Sequence, residues 1–93
     1  MDHTDTFTRA LADEGFERPV TITREPDGRL DDHTHPFEAK ALILSGEIRI
    51  VTAGSERLYG VGDVFHLQAH EPHSEFYGPD GVSYLVGRKP AAP

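Results

Sequence analysis

Asp31-Asp32-His33-Thr34-His35-Pro36-Phe37-Glu38-Ala39-Lys40-Ala41-Leu42-Ile43-Leu44-Ser45-Gly46 is the stretch whose reading decides the fold, and it has to be taken together with His73. His33 and His35 are one residue apart, and side chains alternate between the two faces of an extended strand, so both imidazoles point the same way. Two nitrogens on one strand do not complete a metal site. Three or four ligands must converge, and the rest have to come from elements that folding brings alongside. Glu38 is the near candidate and His73, in His70-Glu71-Pro72-His73-Ser74-Glu75-Phe76, the distant one.

Working outward, the chain after this stretch reads as strand, turn, strand with no helix-length period: Ala39 to Leu44, a tight turn at Ser45-Gly46, Ile48 to Thr52, a turn at Ala53-Gly54-Ser55, Arg57 to Tyr59, Val64 to Leu67, Ser74 to Tyr77, a turn over Gly78-Pro79-Asp80-Gly81, and Val82 to Val86. Short strands at this spacing predict an antiparallel sandwich or barrel. Gly46, Gly54, Gly62, Gly78 and Gly81 are placed where reversals are expected. Before the stretch, Val20-Thr21-Ile22-Thr23 alternates as a half-buried strand and Pro26-Asp27-Gly28 carries turn chemistry. Residues 5 to 14 predict a short helix with Phe7, Ala10 and Leu11 on one face, Thr4 or Asp5 at its start and Gly15 at its end. The organisation expected is a helix and lead-in over 1–18, a barrel over 19–88, and a flexible tail over 89–93.

Composition narrows the function. A chain of 93 residues has room for one core and buries roughly two-thirds of the surface its unfolded form exposes. Without cysteine there is no disulfide framework and no thiolate site or nucleophile. The net charge is −7, and the nine Lys and Arg residues are scattered from Arg9 to Lys89. That argues against nucleic acid or an anionic membrane as the main partner. The N-terminus lacks the basic start and apolar run of a secretion signal, and no later run approaches the ~20 apolar residues of a membrane span. A cytoplasmic protein is expected.

These residues resemble the cupin family. Its first motif is similar to His33-Thr34-His35-Pro36-Phe37-Glu38 with Gly46 closing the hairpin. Its second resembles Gly62-Asp63-Val64-Phe65-His66-Leu67-Gln68-Ala69-His70-Glu71-Pro72-His73. The resemblance covers residues 31 to 73 and implies an all-β double-stranded β-helix, a jelly-roll barrel whose mouth holds a divalent transition metal (Fe, Mn, Ni, Zn or Cu). The implied ligands are His33, His35 and His73, with Glu38 as the carboxylate. Two departures stand out. Counted back from Gly46, the family's carboxylate position falls on Ala39, and a one-residue offset turns a strand side chain to the opposite face, so Glu38 joins the site only if the local turn absorbs the shift. In the second motif Gln68 and His70 replace the usual proline and glycine, which leaves His70 as either a substitute ligand or a loop residue.

Other readings complete the expectation. Glu75 shares a strand face with His73 and Tyr77 and is the fallback carboxylate. His66 alternates with Phe65 and Leu67 and points to the surface. Phe37, Phe65, Phe76, Tyr77 and Tyr84 are read first as core, with one or two of them able to line a pocket and select an apolar or aromatic ligand. Imidazole donors suit transition metals better than Ca or Mg. The function implied is a small metal-binding cupin. It is read either as an enzyme of dioxygenase, isomerase or lyase type acting on a small oxygenated metabolite, or as a binding or sensing module without turnover. A barrel whose histidines carry no metal is the third reading. A small all-β domain has open edges and a limited core, so a homodimer is expected.

Overall fold

The computed structural model describes residues 3–91. One helix, α1 (His3–Asp13), precedes six strands, β1 (Val20–Arg24), β2 (Arg29–His33), β3 (Phe37–Thr52), β4 (Ser55–Tyr59), β5 (Val64–Leu67) and β6 (His73–Pro90). Every strand pairing is antiparallel.

Two long strands organise the rest. The first half of β3 pairs with β5 and with the second half of β6, which also carries β1. The second half of β3 pairs with β4 and with the first half of β6, which also carries β2. β3 and β6 therefore pass from one four-stranded face to the other, and the two faces close over a shared interior. The turns expected at Ser45-Gly46 and over Gly78 to Gly81 are not reversals. They are bends within continuous strands, marked by register shifts between Ile43 and Ser45 and between Gly46 and Ile48. A bend of this kind presses backbones together. A Cβ on Gly46, at φ +72°, would lie 2.0 Å from the Gly81 carbonyl oxygen, and one on Gly81, at φ +73°, would lie 2.5 Å from that of Arg24. Glycine is required at both positions by space as well as by backbone angle.

The bends also reset side-chain parity. In β3 the interior residues are Ala39, Ala41 and Ile43 before the bend and Ile48 and Ile50 after it. In β6 the inward set runs His73, Glu75 and Tyr77, then Val82, Tyr84 and Val86. Phe37, Ile22, Phe65 and Leu67 complete this core.

A second cluster lies on the outer face, where Phe7 and Leu11 of α1 meet Phe16, Leu42 and Leu85. Each such side chain contributes about 1.5–3 kcal/mol on burial, which is how a helix of 11 residues, too short to persist alone, is held. α1 starts at His3, so Thr4 and Asp5 lie within its first turn, while Gly15 ends it at φ +88°. At the other end of the chain β6 continues through Pro90 opposite Phe37, and Ala91 N–H donates to the Pro36 carbonyl. The tail expected to be flexible thus closes the sheet as far as residue 91, and residues 92 and 93 lie outside the described part. Phe76, expected in the core, is outward and half-buried, with the Arg49 guanidinium 4.8 Å from its ring centre.

Candidate metal centre

Pairing of β2 with β6 sets His33 directly opposite His73, and the two ring centres are 4.2 Å apart. His35 follows just beyond the end of β2. Its carbonyl accepts a 2.7 Å hydrogen bond from the His70 N–H, and its ring stacks on Phe37 at 4.9 Å with planes 16° apart. These two contacts hold the His35 ring 4.7 Å from that of His33 and 5.3 Å from that of His73. Glu75, two residues beyond His73 on the same strand face, supplies a carboxylate. One donor atom from each of His33, His35, His73 and Glu75 can be chosen so that all lie within 4.8 Å of one another.

The hydrogen bonds identify which nitrogens face the centre. His33 Nδ1–H donates to the Asp31 carbonyl at 2.7 Å, and His73 Nδ1–H donates to the Glu71 carbonyl at 3.0 Å. With Nδ1 committed as a donor, each neutral ring carries its lone pair on Nε2, the arrangement that outer partners impose on ligating histidines. Those two Nε2 atoms face a single carboxylate oxygen. Glu75 Oε2 is 3.4 Å from His33 Nε2 and 3.2 Å from His73 Nε2. His33 Nε2 is buried and has no hydrogen-bond partner. Lone pairs of two imidazoles and a carboxylate converging at this distance repel unless they share a cation, either a proton or a metal ion. The remaining carboxylate oxygen, Glu75 Oε1, accepts a 3.1 Å hydrogen bond from the Tyr77 hydroxyl.

Electrostatics agree with this geometry. Burial alone would raise the Glu75 carboxyl, but hydrogen bonding and charge from His73, the Tyr77 hydroxyl and His33 hold it below the usual carboxylate range. Burial opposes protonation of His73, yet Glu75 and the Glu71 carbonyl raise its pKa. His35 is lowered by burial and by its two imidazole neighbours. Burial together with Glu75 raises the Tyr77 and Tyr84 hydroxyls, so both stay protonated.

Glu38 is not brought to this centre. Phe37 and Ala39 take the inward parity of β3, so Glu38 faces outward with Lys40 and Leu42, and its carboxylate meets His66 Nε2 at 2.5 Å. The one-residue offset is not absorbed by the turn. The carboxylate comes from Glu75, whose signal was its two-residue spacing from His73. The His70 side chain is exposed, and its contribution is the backbone N–H that fixes His35. It adopts φ +62° where the family's second motif has glycine, a conformation that His tolerates better than most residues. His66 lies on the surface, as expected.

A cavity lies beside the centre, and what sequence reading missed in it is a pair of arginines. It is lined by His35 and Glu75 together with Ile22, Leu30, Phe37 and Tyr84, and by two arginines, Arg24 and Arg88. The available signal was parity, since Arg24 follows Ile22 by two residues and Arg88 follows Val86 by two, which continues each inward set with a cation.

The sequence profile of the cupin domain family matches residues 20–76. The chain belongs to that family. No curated protein matches it. Among solved structures, it is similar to an RmlC-like cupin from Shewanella frigidimarina, with a TM-score of 0.68 and 22% identity over 80% of this chain and 66% of that one. The DMSP lyase DddQ from Ruegeria pomeroyi gives a TM-score of 0.69 and 24% identity over 76% of this chain and 36% of that one. The cupin domain of Schizosaccharomyces pombe Cnp3 gives 0.70 and 12%, over 78% of this chain and 55% of that one. The chain thus spans less than two-thirds of each of these structures. At these identities the likeness is one of fold, and this cupin's chemistry has to be argued from its own side chains.

Proposed function

We propose that this cupin binds one divalent transition metal through His33, His35, His73 and Glu75 and acts as a small metal-dependent enzyme on an oxygenated metabolite. One observation carries the metal reading: the buried, unpartnered Nε2 of His33 facing the Nε2 of His73 across one Glu75 oxygen, with both Nδ1 atoms already satisfied by backbone carbonyls. Three imidazoles and one carboxylate suit Fe, Mn, Ni, Zn or Cu. A bound ion of this kind supplies Lewis acidity toward an oxygen of the substrate. The chain's own residues do the positioning. The Asp31 and Glu71 carbonyls fix two rings, Phe37 and the His70 amide fix the third, and Tyr77 orients the carboxylate.

The test is elemental analysis of untagged protein purified without chelators, beside a His33→Ala/His73→Ala double variant. Near one transition metal per chain in the wild type and almost none in the variant is expected. A wild type that stays empty after incubation with Fe, Mn, Ni, Zn and Cu salts overturns the proposal.

A binding or sensing module without turnover is the second reading, and the state of the acids at and beside the centre favours it. Both Glu75 oxygens are engaged, and the Tyr77 and Tyr84 hydroxyls are raised away from neutrality, which leaves fewer groups poised for proton transfer. Tight ligand binding by the metal-loaded protein with no product after prolonged incubation would select this reading. The homodimer belongs to the proposal as well, motivated by β4, which pairs only with β3 among the described residues and exposes Leu58. A monomer mass in light scattering at micromolar concentration would remove it.

A further inference from the structure

Arg24 is exposed and Arg88 half-buried, yet both reach the cavity beside the candidate metal centre. Each continues an inward set, Ile22 to Arg24 in β1 and Tyr84 to Val86 to Arg88 in β6, and both line the cavity that contains His35 and Glu75. Among the described residues neither guanidinium is in an ion pair, and of the Lys and Arg side chains these two line the cavity. Neither is aimed at random. Arg88 lies over the Phe37 ring at 5.2 Å, the ring that also stacks on His35. Arg24 is flanked by Tyr84, Tyr77 and Glu75; burial disfavours its charge, but hydrogen bonding to Tyr84 and the nearby Glu75 carboxylate favour it.

We infer that Arg24 and Arg88 form an anion-binding wall facing the candidate metal centre, and that the ligand is a small carboxylate carrying a second oxygen donor, such as a short hydroxy acid. Guanidinium forks match planar carboxylates, and such charge-assisted bonds are roughly twice as strong as neutral ones. Size narrows the class. The cavity measures about 70 Å³, space for roughly two waters at ~30 Å³ each and well below the ~300 Å³ at which drug-sized pockets begin. A phosphate group would occupy most of that space and leave little for a second donor reaching His35 and Glu75. The apolar remainder of the lining, Ile22, Leu30, Ala39, Phe65 and Leu67, suits a short carbon chain. The inference rests on the proposed metal centre for the ligand's second contact only, because the arginine wall is independent of it.

Glycolate and its neutral counterpart glycolamide are the probes, titrated calorimetrically into metal-loaded and metal-free protein, with metal content determined for each sample. Wild-type protein is expected to bind glycolate at least tenfold more tightly than glycolamide. Arg24→Gln and Arg88→Gln should each weaken glycolate about tenfold while leaving glycolamide nearly unchanged, the double variant should lose the preference, and Arg88→Lys should restore part of it. Unchanged metal content and circular dichroism in the variants exclude misfolding. Equal binding of the two probes, binding of neither by metal-loaded protein, or full glycolate affinity in the double variant would overturn the inference. A protein that takes up no metal yet prefers glycolate through its arginines would remove the metal centre and leave the anion site standing.

Discussion

His73 with Glu75 and His66 with Glu38 are the same two functional groups in contact, yet only one pair belongs to a candidate site. At the first, the side chains are 1% and 8% exposed, two more imidazoles converge, and the outer nitrogen of His73 is bound to a backbone carbonyl. At the second, the side chains are 40% and 22% exposed, and the pair sits on the outer face of β3 and β5. Nearness in sequence to His33 and His35 does not decide membership. Strand parity does: Glu38 is three residues from His35 and faces away, whereas Glu75 arrives from another strand and faces in.

The largest effect that tests this contrast is on metal affinity. Glu75→Ala should weaken binding by at least about 100-fold, since even outer-shell partners of ligating histidines cost about 10–100-fold on mutation. Glu38→Ala should leave affinity within about twofold, because the outward face of β3 gives it no route to the centre. Competition titration against a chromophoric chelator measures both. Equal losses in the two variants would mean that Glu38 reaches the centre through a rearrangement of the turn at Pro36.

The unequal legibility of fold and site has the same origin. Alternation in Val20 to Thr23, Ala39 to Ile43 and Val64 to Leu67 identified strands because each segment buries one face, a local property that a sequence displays. The three histidines were legible because two are spaced one residue apart and the third carries a motif, although His35 lies just beyond the end of β2. The bends at Gly46 and Gly81 were not, since a glycine needed for close backbone approach and a glycine needed for a reversal look alike until the neighbouring strand is known. The arginine wall was hidden for another reason: parity groups Arg24 with Ile22 and Arg88 with Val86, but does not say that the two strands bring their ends to one cavity. Glu75 was visible only as a fallback, for its spacing says that it shares a face with His73 but not that β2 lies opposite.

A smaller effect separates the buried pair by pH in metal-free protein. Glu75 titrates below its ordinary value, so its contribution to stability is present above about pH 4.5 and is lost as pH falls through its folded value. His73 titrates above its ordinary value, so its contribution is fully present below about pH 6.5 and is lost as pH rises through its folded value. His35, lowered by burial and its neighbours, works the other way and costs stability as pH falls below 6.5. In the presence of chelator, the stability difference between wild type and His73→Gln should therefore be larger at pH 5.5 than at pH 8, as read from denaturant midpoints. A difference that grows toward pH 8 would show that the buried contact carries no charge on the imidazole.

The smallest effect belongs to the exposed pair. Two partly hydrated groups held by side chains that water reaches from one side gain little from contact, and surface ion pairs typically contribute about 0–1 kcal/mol. The short distance between His66 and Glu38 does not alter this, because the dielectric response of the solvent weakens the attraction while fixing both rotamers costs entropy. A double-mutant cycle over His66→Gln and Glu38→Gln should give a coupling energy within that range, with the core cluster of Phe7, Leu11, Phe16, Leu42 and Leu85 beneath it left intact. A coupling above about 2 kcal/mol, outside the exposed-pair range, would mean that exposure is a poor guide to which imidazole–carboxylate contact matters here, and the ground for separating the two pairs would be gone.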